Sequence, residues 1–469
     1  MATPLPFHSR VALALHDRQL KLALGRATSQ LARQREIALA SLADPIRTRE
    51  AARRIRTETL QRLDQHLERF ERAVLAAGGR VHWAEGAADA RRIAVELALA
   101  QRVRRVVKSK SMLSEEIGLN PALEQNGIAV VESDLGEYIV QLARETPSHI
   151  IAPAFHKTRE QIGQLFHDKL GIPLTHDPAR MTAAARARLR EVYLTAGMGI
   201  SGVNFGVAET GTLCIVTNEG NASLATSAPP LHLALMGIER VVPTLADLAV
   251  MLQVLARSAT GQKLSVYTDL ISGPRRRADP DGPEELHVLL VDNGRSRVLA
   301  GELAEILLCI RCGACLNACP VYREIGGHAY GSVYSGPLGA VLTPALYGID
   351  AWAELPYASS LCGACRDVCP VRIDIPRMLL ALRQQAVQRR AAPLWLRLGL
   401  RLYRLAATRP RLFRLAMAAA SALTRTLSPG GFFRHLPPPL SGWTAHRDFP
   451  TFAGQPFSAL FGERGSTRR

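Results

Sequence analysis

The chain has no apolar run approaching the roughly 18 residues that would cross a bilayer. Its longest candidate, Leu415 to Leu423, is far too short. No early segment joins a basic start, an apolar run and a small-residue cleavage site, so no secretory signal is expected. Residues 1–100 instead alternate Arg, Gln and Glu with Leu and Ala, as amphipathic helices do. Aromatic residues make up 5% of the chain, and the basic stretches are not interleaved with them. Without that pattern or a recognisable binding module, nucleic acid is not an expected partner. A flavin or nicotinamide fingerprint is missing too. Gly197-Met-Gly-Ile-Ser-Gly202 spells G-x-G-x-x-G, but it follows a helical stretch rather than a strand. These absences lead to the expectation of a cytoplasmic, reducing location, which suits free thiolates.

After Pro376 there is no Lys, and sixteen Arg face one Asp (Asp448) and one Glu (Glu463). That excess of fourteen accounts for most of the net charge of +17, and the first 375 residues are nearly balanced. An acidic partner or the anionic inner face of a membrane is the expected counterpart. The bland alternative is a solvated basic face with Leu packed inward.

What is present is a concentration of cysteine. Seven of eight cysteines fall in two runs, Cys309-Ile-Arg-Cys312-Gly-Ala-Cys315-Leu-Asn-Ala-Cys319-Pro320 and Cys362-Gly-Ala-Cys365-Arg-Asp-Val-Cys369-Pro370. The spacing C-x2-C-x2-C-x3-C-P is that of bacterial ferredoxins, whose fourth cysteine ligates the neighbouring cluster. Crossed in that way, Cys309, Cys312, Cys315 and Cys369 hold one [4Fe-4S] cluster, and Cys319, Cys362 and Cys365 hold a second. The second run lacks its first cysteine, and Ser359 stands there. The fourth site of the second cluster is therefore open, or filled by Ser359, solvent or a partner. Zinc is the competing reading, but it usually takes separated C-x2-C pairs. Disulfides are disfavoured by the tight spacing and the expected compartment.

At 469 residues, 47% hydrophobic and 21% charged, the chain has room for two or three globular domains. Residues 1–80 read as a helical segment, with a break at Asp44-Pro45 and helical spacing from Thr57 to Ala77. Residues 81–298 alternate strands and helices, which indicates a largely parallel α/β sheet. The strands are expected at 80–83, 105–108, 128–132, 149–152, 213–216, 240–242, 264–268 and 287–291. Helices are expected at 87–101, 136–145 and 177–196. Residues 299–390 form the cysteine module. Its two runs are separated by an insert holding Gly326-Gly-His-Ala-Tyr-Gly331, longer than the linker of a small ferredoxin. That insert resembles the α-helical dicluster modules of respiratory and oxidoreductase subunits. Residues 391–469 form an Arg-rich helical and Pro-rich tail.

Several segments carry a family resemblance. Val107-Lys-Ser-Lys-Ser-Met112 with Glu115-Glu116, Val131-Glu-Ser-Asp-Leu-Gly-Glu-Tyr138, Pro147-Ser-His-Ile150 and Phe205-Gly-Val-Ala-Glu-Thr-Gly-Thr212 resemble the lactate-utilisation (LUD) domain. The cysteine runs, with Gly326-Gly-His-Ala-Tyr-Gly-Ser332 and Ser359-Ser-Leu-Cys-Gly-Ala-Cys365, resemble the ferredoxin-type module of the same family. The resemblance covers about residues 20–390. It implies an α/β LUD fold similar to the sugar-phosphate isomerase and CoA-transferase superfamily, followed by an α-helical dicluster domain. It also implies an iron–sulfur electron-transfer role in oxidation of L-lactate to pyruvate, beside other subunits of the same system. A LUD-domain enzyme acting on a small anionic substrate, with the clusters as internal relay, is the alternative.

Outside the cysteines, the turn from Ala208 to Thr212 suits an anion site, with Glu209 as candidate acid, base or nucleophile. Its bland reading is a tight turn entering a core strand. Lys108 and Lys110 follow a strand and either bind an anion at the sheet's carboxyl edge or form a solvated strand end. His328 either tunes a cluster or packs a loop. Cys214 reads as a buried small hydrophobe. His149, His156 and His232 show no metal-site spacing.

Overall fold

The computed structural model describes residues 5–389, 394–438, 440–445, 447–455, 457 and 461. Four helices come first, Phe7–His16, Arg18–Ala40, Pro45–Gln61 and Leu63–Ala76. Asp17 and Asp44 start the second and third by accepting the backbone N–H of Leu20 and Arg47, and Pro45 occupies the first helical turn. The helical spacing from Thr57 to Ala77 is interrupted, because Arg62 leaves helical geometry and splits the stretch in two.

Ten strands follow: β1 (Arg80–Ala84), β2 (Arg105–Lys108), β3 (Ala129–Glu132), β4 (Met198–Gly202), β5 (Phe205–Val207), β6 (Leu213–Thr217), β7 (Leu231–Gly237), β8 (Val241–Val242), β9 (Tyr267–Ile271) and β10 (Glu285–Val291). Six form an all-parallel sheet in the order β1-β10-β7-β4-β2-β3. Its central strands are buried on both faces, as helix-covered parallel strands must be. The other four make a second sheet, β8-β5-β6-β9, with antiparallel pairs around β6. The G-x-G-x-x-G stretch is mostly β4 itself, not a phosphate loop. Gly199 there lies so close to the Ala225 carbonyl that a Cβ would fall 1.7 Å from its oxygen.

Two strand expectations shift. Residues 149–152 form a turn, because His149 Nδ1 accepts the N–H groups of Ile151 and Ala152. The strand read at 264–268 begins instead at Tyr267.

The cysteine module is built from short helices, among them Ala314–Ala318, Pro320–Ile325, Gly336–Tyr347, Ala364–Val368 and Ile375–Gln388. It shares one apolar core with the N-terminal helices and the second sheet. Arg56 shows how these parts interlock. It is fully buried, and its guanidinium donates to the carbonyls of Glu239, Val241, Leu307 and Leu308. One side chain thus bonds four backbone acceptors from two stretches of chain, 239–241 and 307–308.

Residues 390–469 form a separate compact unit. Among its described residues, helices Leu394–Ala407 and Pro410–Leu427 pack on each other, and strands Phe432–Phe433 and Phe449–Pro450 pair antiparallel. Arg390, Arg464, Arg468 and Arg469 lie outside the described residues. No helix among the described residues is long and apolar enough to cross a membrane.

Candidate functional site

The two cysteine runs fold into the same local shape. Arg311 and Leu361, each just before a cysteine, both take left-handed backbone, with φ of 59° and 56°. Gly313 and Gly363, just after it, do the same at 74° and 86°. Left-handed backbone is costly for a residue with a Cβ, by about 1–2 kcal/mol. Its recurrence at matching places marks a loop shape imposed by the site. The Arg311 N–H donates to Cys309 Sγ at 3.4 Å, and the Leu361 N–H donates to Ser359 Oγ at 3.1 Å. Ser359 therefore occupies the place in its loop that Cys309 holds in the first.

The thiols assemble across the runs. Cys309, Cys312, Cys315 and Cys369 line one small cavity walled by Ile310, Leu338, Val371, Ile373 and Ile375. Burial, then the neighbouring Cys369 and Cys309, pushes the Cys312 thiol up to about 12. Burial pushes Cys369 up to about 11 against the backbone N–H groups of Ile373 and Val371, with Cys309 adding to the rise. Cys319, Cys362 and Cys365 form the other group. Burial, then Cys319, raises Cys365 to about 12. Cys365 also acts on Cys315, so the two groups are neighbours.

This donor set fits a polynuclear iron–sulfur group. Four mutually repelling thiolates in an apolar cavity need a cationic core to stay deprotonated, and metal binding supplies it while releasing their protons. The aimed backbone N–H groups add the hydrogen bonds that iron–sulfur sites use to tune potential. A lone tetrahedral zinc usually takes separated C-x2-C pairs, which these runs are not.

The cysteine loop is also tied to the α/β half. His149 is buried, bonds Asn317 through Nε2 at 3.1 Å, and packs where a Cβ on Gly313 would meet its ring at 3.4 Å. Burial, then the Lys110 charge, pushes His149 down to about 3, so it is neutral. Tyr322 donates to the Ser148 carbonyl at 2.7 Å. Arg35 and Arg49, from the N-terminal helices, donate to the carbonyls of Val368 and Cys369. These contacts were not visible in the spacing of any motif; a run of Arg on a helix face was the one available sign.

Beyond the carboxyl ends of β2, β4 and β7 lies a cavity of about 250 Å³. Lys110, Glu239, Arg240, Arg295, Arg311 and Tyr334 are among its lining residues. Burial alone would raise the Glu239 pKa, but Arg295, Arg240 and Arg311 hold it down to about 2. Arg295 forms a two-bond fork to Glu116, 2.8 Å on each side, and bonds Glu239 at 2.7 Å.

The remaining sequence candidates fall as follows. Glu209 is not among the residues lining this cavity; its carboxylate accepts the Leu245 N–H at the start of helix Leu245–Ala259. Thr210 bonds Thr212 within the same turn. Lys108 is neither a solvated strand end nor a free anion ligand. It is fully buried, 2.8 Å from Glu132 and from Ser114. Lys110 does line the cavity and donates to the Ile151 carbonyl. His328 bonds the Thr146 carbonyl and packs edge-on against His156. His232 is buried in β7 and bonds Ser201. Cys214 is a buried residue of β6 whose thiol burial raises to about 12.

Comparison with known proteins follows this geometry. Residues 67–291 match the family model of the LUD domain, 305–373 that of the 4Fe-4S dicluster domain, and 383–466 that of the lactate utilisation protein B C-terminal region. The chain is 47% identical over 418 residues to lactate utilization protein B of Geobacillus thermodenitrificans, covering 89% of this chain and 88% of that one. It is 46% identical to lactate utilization protein B 2 of Bacillus mycoides, covering 95% and 94%. It is 44% identical to lactate utilization protein B of Bacillus pumilus, covering 98% and 97%. A solved DUF162 family protein from Deinococcus radiodurans is 15% identical, with a TM-score of 0.28 over 49% of this chain and 98% of that one.

Proposed function

The chain belongs to the lactate utilization protein B family of iron–sulfur proteins, and from that premise we propose that it carries electrons released in the oxidation of L-lactate to pyruvate. It acts with other subunits of a lactate-utilization system. The observation that carries the reading is the sorting of seven thiols into two neighbouring groups drawn from both runs. Cys309, Cys312, Cys315 and Cys369 hold one [4Fe-4S] cluster. Cys319, Cys362 and Cys365 hold the other, whose fourth site is open or filled by Ser359, solvent or a partner. Each cluster, when bound, takes up and returns one electron.

The chain supplies the surroundings. Ile310, Leu338, Val371, Ile373 and Ile375 keep water from the first group. Cys362 is exposed, so the second group is the one a partner can approach. The α/β half is read as a fold of the sugar-phosphate isomerase and CoA-transferase superfamily over 81–298, with the dicluster domain over 299–390. In this reading Glu209 organises a helix start and takes no part in chemistry.

The tail supports a docking role. Its helices expose Trp395, Leu398, Leu402, Tyr403, Leu415 and Leu423 beside their arginines. Such faces suit an acidic partner, or the inner face of the cytoplasmic membrane, within a cytoplasmic protein. Truncation after Gln388 should abolish salt-sensitive association with anionic vesicles or partner subunits; unchanged association would refute it.

The test of the main reading is iron and sulfide analysis with an EPR-monitored redox titration of anaerobically purified protein. About seven to eight irons and two titrating centres are expected. About two zinc ions and no acid-labile sulfide would overturn it.

A further inference from the structure

We propose that an open basic cleft between helix Pro45–Gln61 and the segment 366–377 is the docking face of a small acidic electron-carrier protein, which takes electrons from the first cluster there. The proposal rests on the electron-carrier reading and adds to it a place and a partner chemistry.

The cleft has a volume of about 1010 Å³, and all eleven residues lining it are charged. Seven arginines against four carboxylates leave an excess of three positive charges. The carboxylates are spent inside the cleft. Arg53 and Arg377 pair with Glu305 at 2.9 and 3.1 Å, Arg366 pairs with Asp374 at 3.5 Å, and Arg372 pairs with Glu50. Arg47, Arg49 and Arg54 pair with no carboxylate among the described residues. Arg49 serves the cysteine loop, donating to the carbonyls of Asp367 and Cys369 at 2.6 and 2.7 Å. Arg47 and Arg54 serve nothing comparable. Both are exposed, two turns apart on one helix face.

A single segment divides this cleft from the first cluster's cavity. Cys369, Val371, Ile373 and Ile375 line the cavity, and the alternate residues Arg372 and Asp374 line the cleft. The wall is therefore one layer of chain. A carrier in the cleft touches no thiol; it faces the outer side of the backbone that bears Cys369. Electron transfer needs that closeness and not contact with the iron.

Charge and lining together select the occupant. Single exposed ion pairs add little, but a one-signed field speeds encounter with a partner of opposite sign. A nucleotide fits poorly, because no apolar or aromatic side chain lines the cleft to hold a base. A second copy of this chain, at net charge +17, brings like charge.

Stopped-flow oxidation of the anaerobic, dithionite-reduced full chain tests the assignment. The probes are two one-electron haem proteins, acidic soluble cytochrome b5 and basic cytochrome c. In each encounter the cluster loses one electron and the haem iron gains it, with no bond made or broken. The second-order rate constant with cytochrome b5 should fall about tenfold or more in Arg47→Glu/Arg54→Glu at low ionic strength. The difference should close in about 1 M salt, where the Debye length is about 3 Å. The same variant should react with cytochrome c no more slowly than wild type. It should also keep wild-type iron content and EPR signals, since both side chains are exposed. Arg186→Glu/Arg190→Glu makes the same charge change on helix Pro178–Thr195, outside the cleft, and should lower the cytochrome b5 rate far less. A cytochrome b5 rate unchanged in the cleft variant, or lowered equally by the control variant, would overturn the docking face and leave the carrier reading standing. Wild-type protein that holds reduced clusters yet reduces neither cytochrome would overturn both. Saturable binding of tripolyphosphate, seen by calorimetry and lost in the cleft variant, would assign the cleft to a free polyanion instead.

Discussion

The two cysteine runs share their C-x2-C-x3-C-P spacing and their left-handed backbone positions, yet the matched cysteines Cys312 and Cys362 meet opposite surroundings. The first is walled by apolar side chains and tied to buried His149, and its Cys312 is buried. The second leaves Cys362 exposed, and hydrogen bonds from the Ala364 N–H and the Ser360 side chain lower that thiol's pKa. Burial drives Cys312 the other way, up to about 12. One motif thus yields a sealed thiol at Cys312 and an open one at Cys362. The difference lies in what packs against each loop, not in the loop.

The largest expected effect comes from crossing the runs. Cys369→Ala should remove the first, buried centre although the residue belongs to the second run, with a loss of about half the iron. EPR that shows the buried centre intact and the exposed one gone would mean that each run serves its own cluster.

Thiol reactivity should separate the runs next. In cluster-free protein, iodoacetamide should label Cys362 more than about tenfold faster than Cys312, since the thiolate is the nucleophile and Cys362 is both exposed and lowered. Mass spectrometry of a time course reads this directly, and equal rates would erase the contrast.

Acid should act on the buried loop through His149. Its folded pKa, about 3, lies below the usual value. The folded state therefore binds fewer protons than the unfolded chain. The stabilisation is complete above about pH 6.5 and is lost as pH falls toward 3. By pH 5 the loss is about 2 kcal/mol. Denaturant titrations at pH 7 and 5 measure it, and His149→Gln should show a shallower dependence. A slope unchanged in that variant would assign the acid sensitivity elsewhere.

The smallest effect is at the position where the runs differ in letters. Ser359→Cys should leave the fold unchanged and bind the second centre more firmly, raising iron by up to about one per chain. Analysis of metal content with EPR decides whether that iron was already held through Ser359 Oγ.

Much of this was legible beforehand. The ligand candidates follow from spacing, and the parallel sheet follows from short apolar runs alternating with amphipathic ones. β2 begins and ends where its Arg-Val-Val-Lys stretch indicated, because a buried parallel strand is written as a continuous apolar run. Residues 149–152 read as a strand for the same reason and are a turn, because a side-chain nitrogen outbids a ladder for two backbone N–H groups. Lys108 and Lys110 read alike, two residues apart on one strand end. One is sealed against Glu132 and the other reaches the cavity, a distinction set by which helices cover that edge. Glu209 drew attention as a carboxylate in a small-residue turn, and the helix start beside it accounts for the carboxylate's contact.

By itself the sequence determined the chemistry available: seven thiols at cluster spacing, a βα alternation, and an arginine-rich tail, all of which are local properties of neighbouring residues. Tertiary structure alone decided which thiols are shielded and where Arg311 sends its side chain. Those outcomes depend on contacts between residues far apart in the chain, such as Arg311 with Tyr334 and Glu239, or His149 with Asn317. Local spacing carries no information about such pairs, since burial and unpaired charge arise only when distant segments close on one another.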